Sequence, residues 1–246
     1  MAAIAKQISD ELSTFGLDIC TPFQADFYND EVLEGDNPPL PLLAPTGPTL
    51  SILVANNKNL WTHFKKHLKE NPSALESRDP LDDYVRGVID LALEKIVDPN
   101  IPADVRFAFD RGQKFVAFQK LAHMIGESFY NRQVFLCSHP VYGPWQALRA
   151  VITIGVDASD IPYSHAEVQD PYPEGAPRVV ECMNQYFEAV KGDGGPKESA
   201  PQHIYRYLVA ARDAATIPNQ VQYRYFEDQI AYHYTKKKEV LRNGFE

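Results

Sequence analysis

Residues 136–151 read LCSHPVYGPWQALRAV. Within this short span lie a thiol at Cys137, an imidazole at His139, an indole at Trp145 and a guanidinium at Arg149, beside a turn made by Gly143 and Pro144. Such a cluster suits a ligand. From Gln146 to Val156 the β-branched residues Val151, Ile152, Thr153, Ile154 and Val156 predict a strand. Strict alternation puts Leu148, Ala150, Ile152 and Ile154 on one face, and Ala147, Arg149, Val151, Thr153 and Gly155 on the other. On the less apolar face, the Arg149 fork suits a carboxylate or phosphate, the alternative being a strand-end arginine paired with a surface acid. Cys137 is the most plausible reactive thiol, against the alternative of a small buried hydrophobe.

Other constellations carry less. His63 and His67 stand four apart on one helical turn but lack the intervening glutamate of a zinc-peptidase motif, and Lys65 and Lys66 lie between them, so no metal site is expected. The GDGG run at 192–195 lacks the lysine and following helix of a phosphate loop. No GxSxG elbow exposes a serine nucleophile.

The elements that must position these groups are mixed α and β. Helices are predicted over 2–16, with Ile4, Ile8, Leu12 and Phe15 on one face and Gly16 as a stop, and over 59–72, with Leu60, Phe64 and Leu68 in register. A third opens with Asp79 as N-cap and Pro80 at its first position, and carries Leu81, Tyr84, Val85, Val88, Ile89, Ala92 and Ile96 inward. Phe115, Phe118, Ala122, Ile125 and Phe129 predict a helix from Lys114 to Tyr130, with His123 beside the apolar stripe as a structural residue. Strands are expected over TLSILVAN (49–56) and ADVRFAFD (103–110), the latter closed by Asp110 on its polar side. The five prolines of 36–49 forbid a regular element. A Pro-rich, acidic loop (157–177) and a helix at 177–190 follow, then two helices over 203–246.

The 246 residues and 44% hydrophobic content suit a single domain, 1–246, whose 157–246 part is largely helical. A net charge of −9 argues against a nucleic-acid partner. The KK and KKK runs at 65–66 and 236–238 decorate solvated helix faces. Cys20, Cys137 and Cys182 are odd in number and far apart, which predicts a reducing compartment. With no signal segment or membrane span in view, the expectation is a cytoplasmic protein.

The order of PFQADFYN (22–29), LPLLAPTGPTLSILV (40–54), FAFD (107–110), KFVAFQKLAHMIGESFYNRQ (114–133), LCSHPVYGPWQALRAVI (136–152) and ARDA (211–214) resembles the CblC family of cobalamin-processing proteins, over about residues 10–240. The resemblance implies an α+β, flavin nitroreductase-like fold with a mixed or antiparallel sheet packed by helices. It implies base-off binding of vitamin B12 derivatives and removal of the upper axial ligand. Alkyl groups would pass to glutathione, and cyanide would leave by reduction, with weakly bound FMN or FAD as donor. It assigns cobalamin contacts to Asp110, Val116, Ala117, Phe118, Gln119, His123, Tyr130, Asn131, Arg132, Cys137, Trp145 and Leu148. It assigns glutathione binding to Arg149 and Arg212, with Arg242 the nearest candidate for a third arginine, and implies a downstream cobalamin-trafficking adaptor as partner. Two departures stand at the family's GlyGlyTrp turn, here Gly143-Pro144-Trp145, and at Arg132, where the family has a glutamine. A cobalamin carrier without turnover and a flavin oxidoreductase are the rival readings.

Overall fold

In the computed structural model, which describes residues 3–32, 37–164, 168–195 and 201–242, four antiparallel strands form the central sheet in the order β1-β2-β6-β3. These are β1 (Ile19–Gln24), β2 (Thr49–Asn56), β3 (Ala103–Phe107) and β6 (Ala147–Asp157), while β4 (Phe129–Asn131) and β5 (Leu136–Ser138) pair as a separate hairpin. β2 is buried along its whole length. Its apolar run reflects coverage of both sheet faces, where alternation would mark a strand wet on one side.

One face carries the main core. Leu50, Ile52 and Val54 of β2 and Ala150, Ile152 and Ile154 of β6 pack there with α1 (Ala3–Ser13), α3 (Asn59–Glu70) and α4 (Pro80–Ile96). The other face holds Phe23, Leu53 and Val151 against α2 (Ala25–Val32) and α5 (Phe118–Met124). α6 (Ala176–Gly192), α7 (Gln202–Ala214), α8 (Glu227–Thr235) and α9 (Lys238–Arg242) follow. Two small satellite cores form here, one around Val134, Cys182 and Ala211, the other around Trp145, Tyr205, Tyr225 and Ile230.

Several expectations need correction. β1 and α2 form between the first helix and the Pro-rich segment, where no element is predicted: β1 contains Pro22, which its place at the sheet edge tolerates. The helix expected from Lys114 to Tyr130 is confined to Phe118–Met124, because Gly126 takes a left-handed φ of 76° and the amides of Glu127 and Ser128 turn back to the Ala122 carbonyl. β3 ends at Phe107, and Asp110 closes the following turn by accepting the Phe107 amide at 2.8 Å. Among the described residues the C-terminal stretch forms three α-helices and a 3-10 turn at Pro218–Tyr223, where two helices are expected. Asp79 does cap α4, but by position alone, without a side-chain hydrogen bond. Parts of the Pro-rich segment and of the acidic loop lie outside the described residues.

The most consequential correction lies in β6. Val54 pairs with Ala150, but the next residue, Ala55, pairs with Leu148, so Arg149 is the extra residue of a β-bulge. The bulge resets the alternation. Leu148 joins Val151 on the α5 face instead of Ala150 and Ile152, and Arg149 reaches toward α4.

Candidate functional site

A cavity of about 460 Å³ opens where the start of β6 meets α5 and the β4–β5 hairpin. Its apolar wall comes from Val116, Phe118 and Leu148, and Phe115 and Phe135 add two more rings. Gln119, Lys120, Tyr130 and Gln146 supply the polar groups, and Arg212 enters from α7. A broad apolar surface with a few convergent donors and acceptors is the general form of a small-molecule site.

The cavity gathers Val116, Ala117, Phe118, Gln119, Tyr130, Cys137, Leu148 and Arg212 from the residues assigned by resemblance. The others serve elsewhere. Asp110 holds its turn, and Asn131 accepts the Gln133 amide at 3.0 Å in another. Arg132 is exposed at the hairpin tip. His123 accepts the Tyr130 amide at 3.4 Å and sits edge-to-face with Phe129. Trp145 is fully buried, with Nε1 donating to Thr216 Oγ1 at 2.9 Å. Arg242 is exposed at the end of α9.

Arg212 donates to the Pro144 carbonyl at 2.6 Å and lies 5.7 Å from the Trp145 ring and 5.9 Å from that of Tyr225. Arg224 also sits over Trp145, at 5.3 Å, anchored by Asp213 and Glu227, so the indole lies beneath two guanidinium groups. Arg149 does not line the cavity. Its Nε donates to Asn56 Oδ1 at 2.6 Å, and its Nη1 lies 3.8 Å from Asp82, which is the paired-arginine alternative with a half-buried acid in place of a surface one. Both Arg149 and Arg212 nevertheless act on His233. Burial and then the charges of Arg212 and Arg149 hold that imidazole well below its usual pKa.

Cys137 is buried and makes only a long contact, 3.9 Å, to the Gln119 carbonyl. Burial pushes its thiol up to about 12, with Arg212 opposing, so it lines the cavity as a hydrophobe and not as a nucleophile. His139 lies away from the cavity. Its Nδ1 accepts the amides of Val141 and Tyr142, which leaves the proton on Nε2, 2.9 Å from the buried carboxylate of Glu127. Thr21 donates to the other Glu127 oxygen, so the pair ties the end of the hairpin to β1.

Sequence reasoning missed Phe135, Gln146 and Lys120. Phe135 is the least legible: its φ of 55° is left-handed, it is 60% exposed at the cavity rim, and Gln119 Nε2 holds its carbonyl at 2.6 Å. A spacing argument could have found Gln146 and Lys120, which neighbour assigned residues. Nothing in a sequence marks a phenylalanine for positive φ.

Fold and cavity together define an α+β protein with a flavin nitroreductase-like fold and a cavity at the start of its longest strand. No protein-family model matches the chain. It is 28% identical over 178 residues to human cyanocobalamin reductase / alkylcobalamin dealkylase, a match covering 66% of this chain and 61% of that protein. The chain thus matches somewhat less than two thirds of that relative's length. The crystal structure of the C. elegans B12-trafficking protein CblC superposes with a TM-score of 0.69 at 19% identity, over 98% of this chain and 94% of that one. Epoxyqueuosine reductase from Bacillus subtilis shares the fold at a TM-score of 0.51 and 12% identity, over 95% of this chain and 69% of that one. The chain is thus similar in sequence to cyanocobalamin reductase / alkylcobalamin dealkylase and in fold to CblC.

Proposed function

We propose that the chain binds cobalamin base-off in the 460 Å³ cavity and removes its upper axial ligand, as a cyanocobalamin reductase and alkylcobalamin dealkylase. The observation that carries this reading is the convergence of seven assigned cobalamin contacts, scattered from Val116 to Leu148, on one cavity that Arg212 also enters. A corrin is a wide apolar disc fringed with amides. Val116, Phe118 and Leu148 offer it apolar area, and Gln119, Gln146 and Tyr130 offer partners for the amides.

In dealkylation, the sulfur of glutathione bonds to the cobalt-bound carbon while the cobalt–carbon bond breaks, leaving its electron pair on cobalt as Co(I). The attacking species is the thiolate, and positive charge favours its formation. Arg212 supplies that charge at the cavity, with Arg224 nearby over the shared indole. Arg149 acts one layer behind, through Asn56 and the field at His233. Arg242 takes no part in this arrangement. Glutathione is the co-substrate in this scheme. Cyanide departs as the cobalt is reduced, and a reduced flavin, FMN or FAD, serves as a diffusible donor, because Lys120 and Arg212 are the sole cations among the lining residues.

A reducing, cytoplasmic setting and handover to a trafficking adaptor belong to the same proposal, and the three free cysteines accord with it. The existing Arg149–Asp82 pair favours a second reading, a carrier that binds cobalamin without turnover. Visible spectra of methylcobalamin with the protein, before and after anaerobic addition of glutathione, separate the two. A blue shift followed by Co(I) or Co(II) bands supports the enzyme, and a blue shift without reaction leaves the carrier. The absence of any shift refutes the cobalamin reading.

A further inference from the structure

Two glutamines line the 460 Å³ cavity, Gln119 on α5 and Gln146 just ahead of β6. A glutamine side chain carries both a donor, Nε2, and an acceptor, Oε1, so the end that the protein occupies decides what a ligand meets. In both residues the donor end is taken. Gln119 Nε2 donates to the Phe135 carbonyl at 2.6 Å, and Gln146 Nε2 donates to Ser128 Oγ at 2.5 Å.

The acceptor ends are left over. Among the described residues, no donor reaches Gln119 Oε1. Gln146 is 5% exposed, and its Oε1 is shut away from solvent without a hydrogen-bond partner in the protein. A buried acceptor with no donor is destabilising until something completes it. Ser128 is fully buried and is not part of the cavity wall, so Gln146 is tied by one end outside the cavity and lacks a partner only at the other.

The neighbouring cations do not supply the missing donors. Lys120, next to Gln119, extends Nζ to the Glu31 carbonyl at 3.2 Å, and Arg212, on α7, donates to the Pro144 carbonyl. This part of the wall therefore suits a ligand group that donates. A primary amide of a corrin side chain has two N–H donors, whereas a carboxylate in the same place only accepts and would set its charge against the glutamine oxygens.

We propose that Gln119 and Gln146 are specificity residues that admit corrins whose side chains are primary amides and disfavour corrins carrying a free carboxylate beside them. The proposal rests on the cobalamin reading above and adds to it the direction of the hydrogen bonds. The test is spectral titration of the full chain, at neutral pH, with methylcobalamin and with its monocarboxylic acids, each with one side-chain amide hydrolysed. At least one acid should bind at least tenfold more weakly than methylcobalamin, because only some ring positions face the two glutamines. Gln146→Leu should bind methylcobalamin severalfold more weakly and close that gap while melting like the parent, and Gln119→Leu gives the same comparison if the first variant does not fold. Acids that all bind as tightly as methylcobalamin or tighter, or a gap that persists unchanged in both variants, would overturn the proposal. Methylcobalamin that fails to bind at all would refute the cobalamin reading itself and the proposal with it, a result distinct from either.

Discussion

Phe135 offers a perturbation whose effects on fold and ligand can be separated. A non-glycine residue in the left-handed region bears about 1–2 kcal/mol of strain, which Phe135→Gly relieves. The ring is 60% exposed. Of the roughly 200 Å² a phenylalanine can bury, about 80 Å² is therefore buried, worth about 2 kcal/mol at ~25 cal/mol per Å². Strain relief and lost burial nearly cancel, so the melting temperature should stay within a few degrees. Affinity should not stay. If a bound corrin covers half of the remaining area, about 60 Å², its loss removes about 1.5 kcal/mol, or roughly tenfold in Kd. Spectral titration with methylcobalamin reads the affinity and thermal denaturation reads the fold. An unchanged Kd together with a clearly lowered melting temperature would place the ring in the fold's service, and the argument from the rim would fail.

Three further perturbations test other parts of the site. His233 is neutral in the folded protein well below pH 6.5, whereas in the unfolded chain it takes up a proton near that pH. Its contribution is thus fully present above about 6.5 and is lost as pH falls, with a slope approaching 1.4 kcal/mol per pH unit; urea melts of His233→Gln between pH 7 and 5 should show a flatter acid limb. His139→Ala leaves the buried Glu127 carboxylate with Thr21 as its remaining donor and should cost about 1–3 kcal/mol in the same melts, part of which the added Glu127→Gln should restore. Arg212→Lys keeps the charge but loses the fork that holds Pro144 and covers Trp145, so the rate of thiol-dependent dealkylation should fall at least tenfold with cobalamin affinity within about threefold. Equal losses in both would make Arg212 a cobalamin contact only.

Periodicity revealed the long elements because each buries one clear face: β2, β6, α1, α3, α4 and α6 stand within a few residues of where their apolar spacing puts them. It failed where local chemistry contradicts the tertiary context. Pro22 disguises β1, and Gly126 cuts α5 short inside a run whose apolar spacing continues to Phe129. The bulge at Arg149 was illegible because the alternation it breaks is the only signal available, and an arginine reads equally well on either face. At the site, the resemblance named residues whose types alone would not have singled them out, such as Val116 and Ala117. Physical contact then divided that set into a cavity lining and a surrounding frame, with Asp110, His123 and Trp145 in the frame. The place of Arg224 over Trp145 shows only in three dimensions, because eleven positions of chain separate it from the Asp213 that holds it there.

The satellite cores beneath α6, α7 and α8 bear on how a ligand gets in. Each is small and separate from the main core, to which Tyr232 anchors α8, so the layer of α6 and α7 can detach at a free energy below that of global unfolding. Arg212 rides on α7, and Val134 of the hairpin belongs to the same satellite core. Partial release of the layer would therefore draw back one wall of the cavity while the sheet stays intact. Ligand entry and the breathing of this layer become a single event, and amide exchange along α7 should slow when the cavity fills, even at positions the ligand never touches.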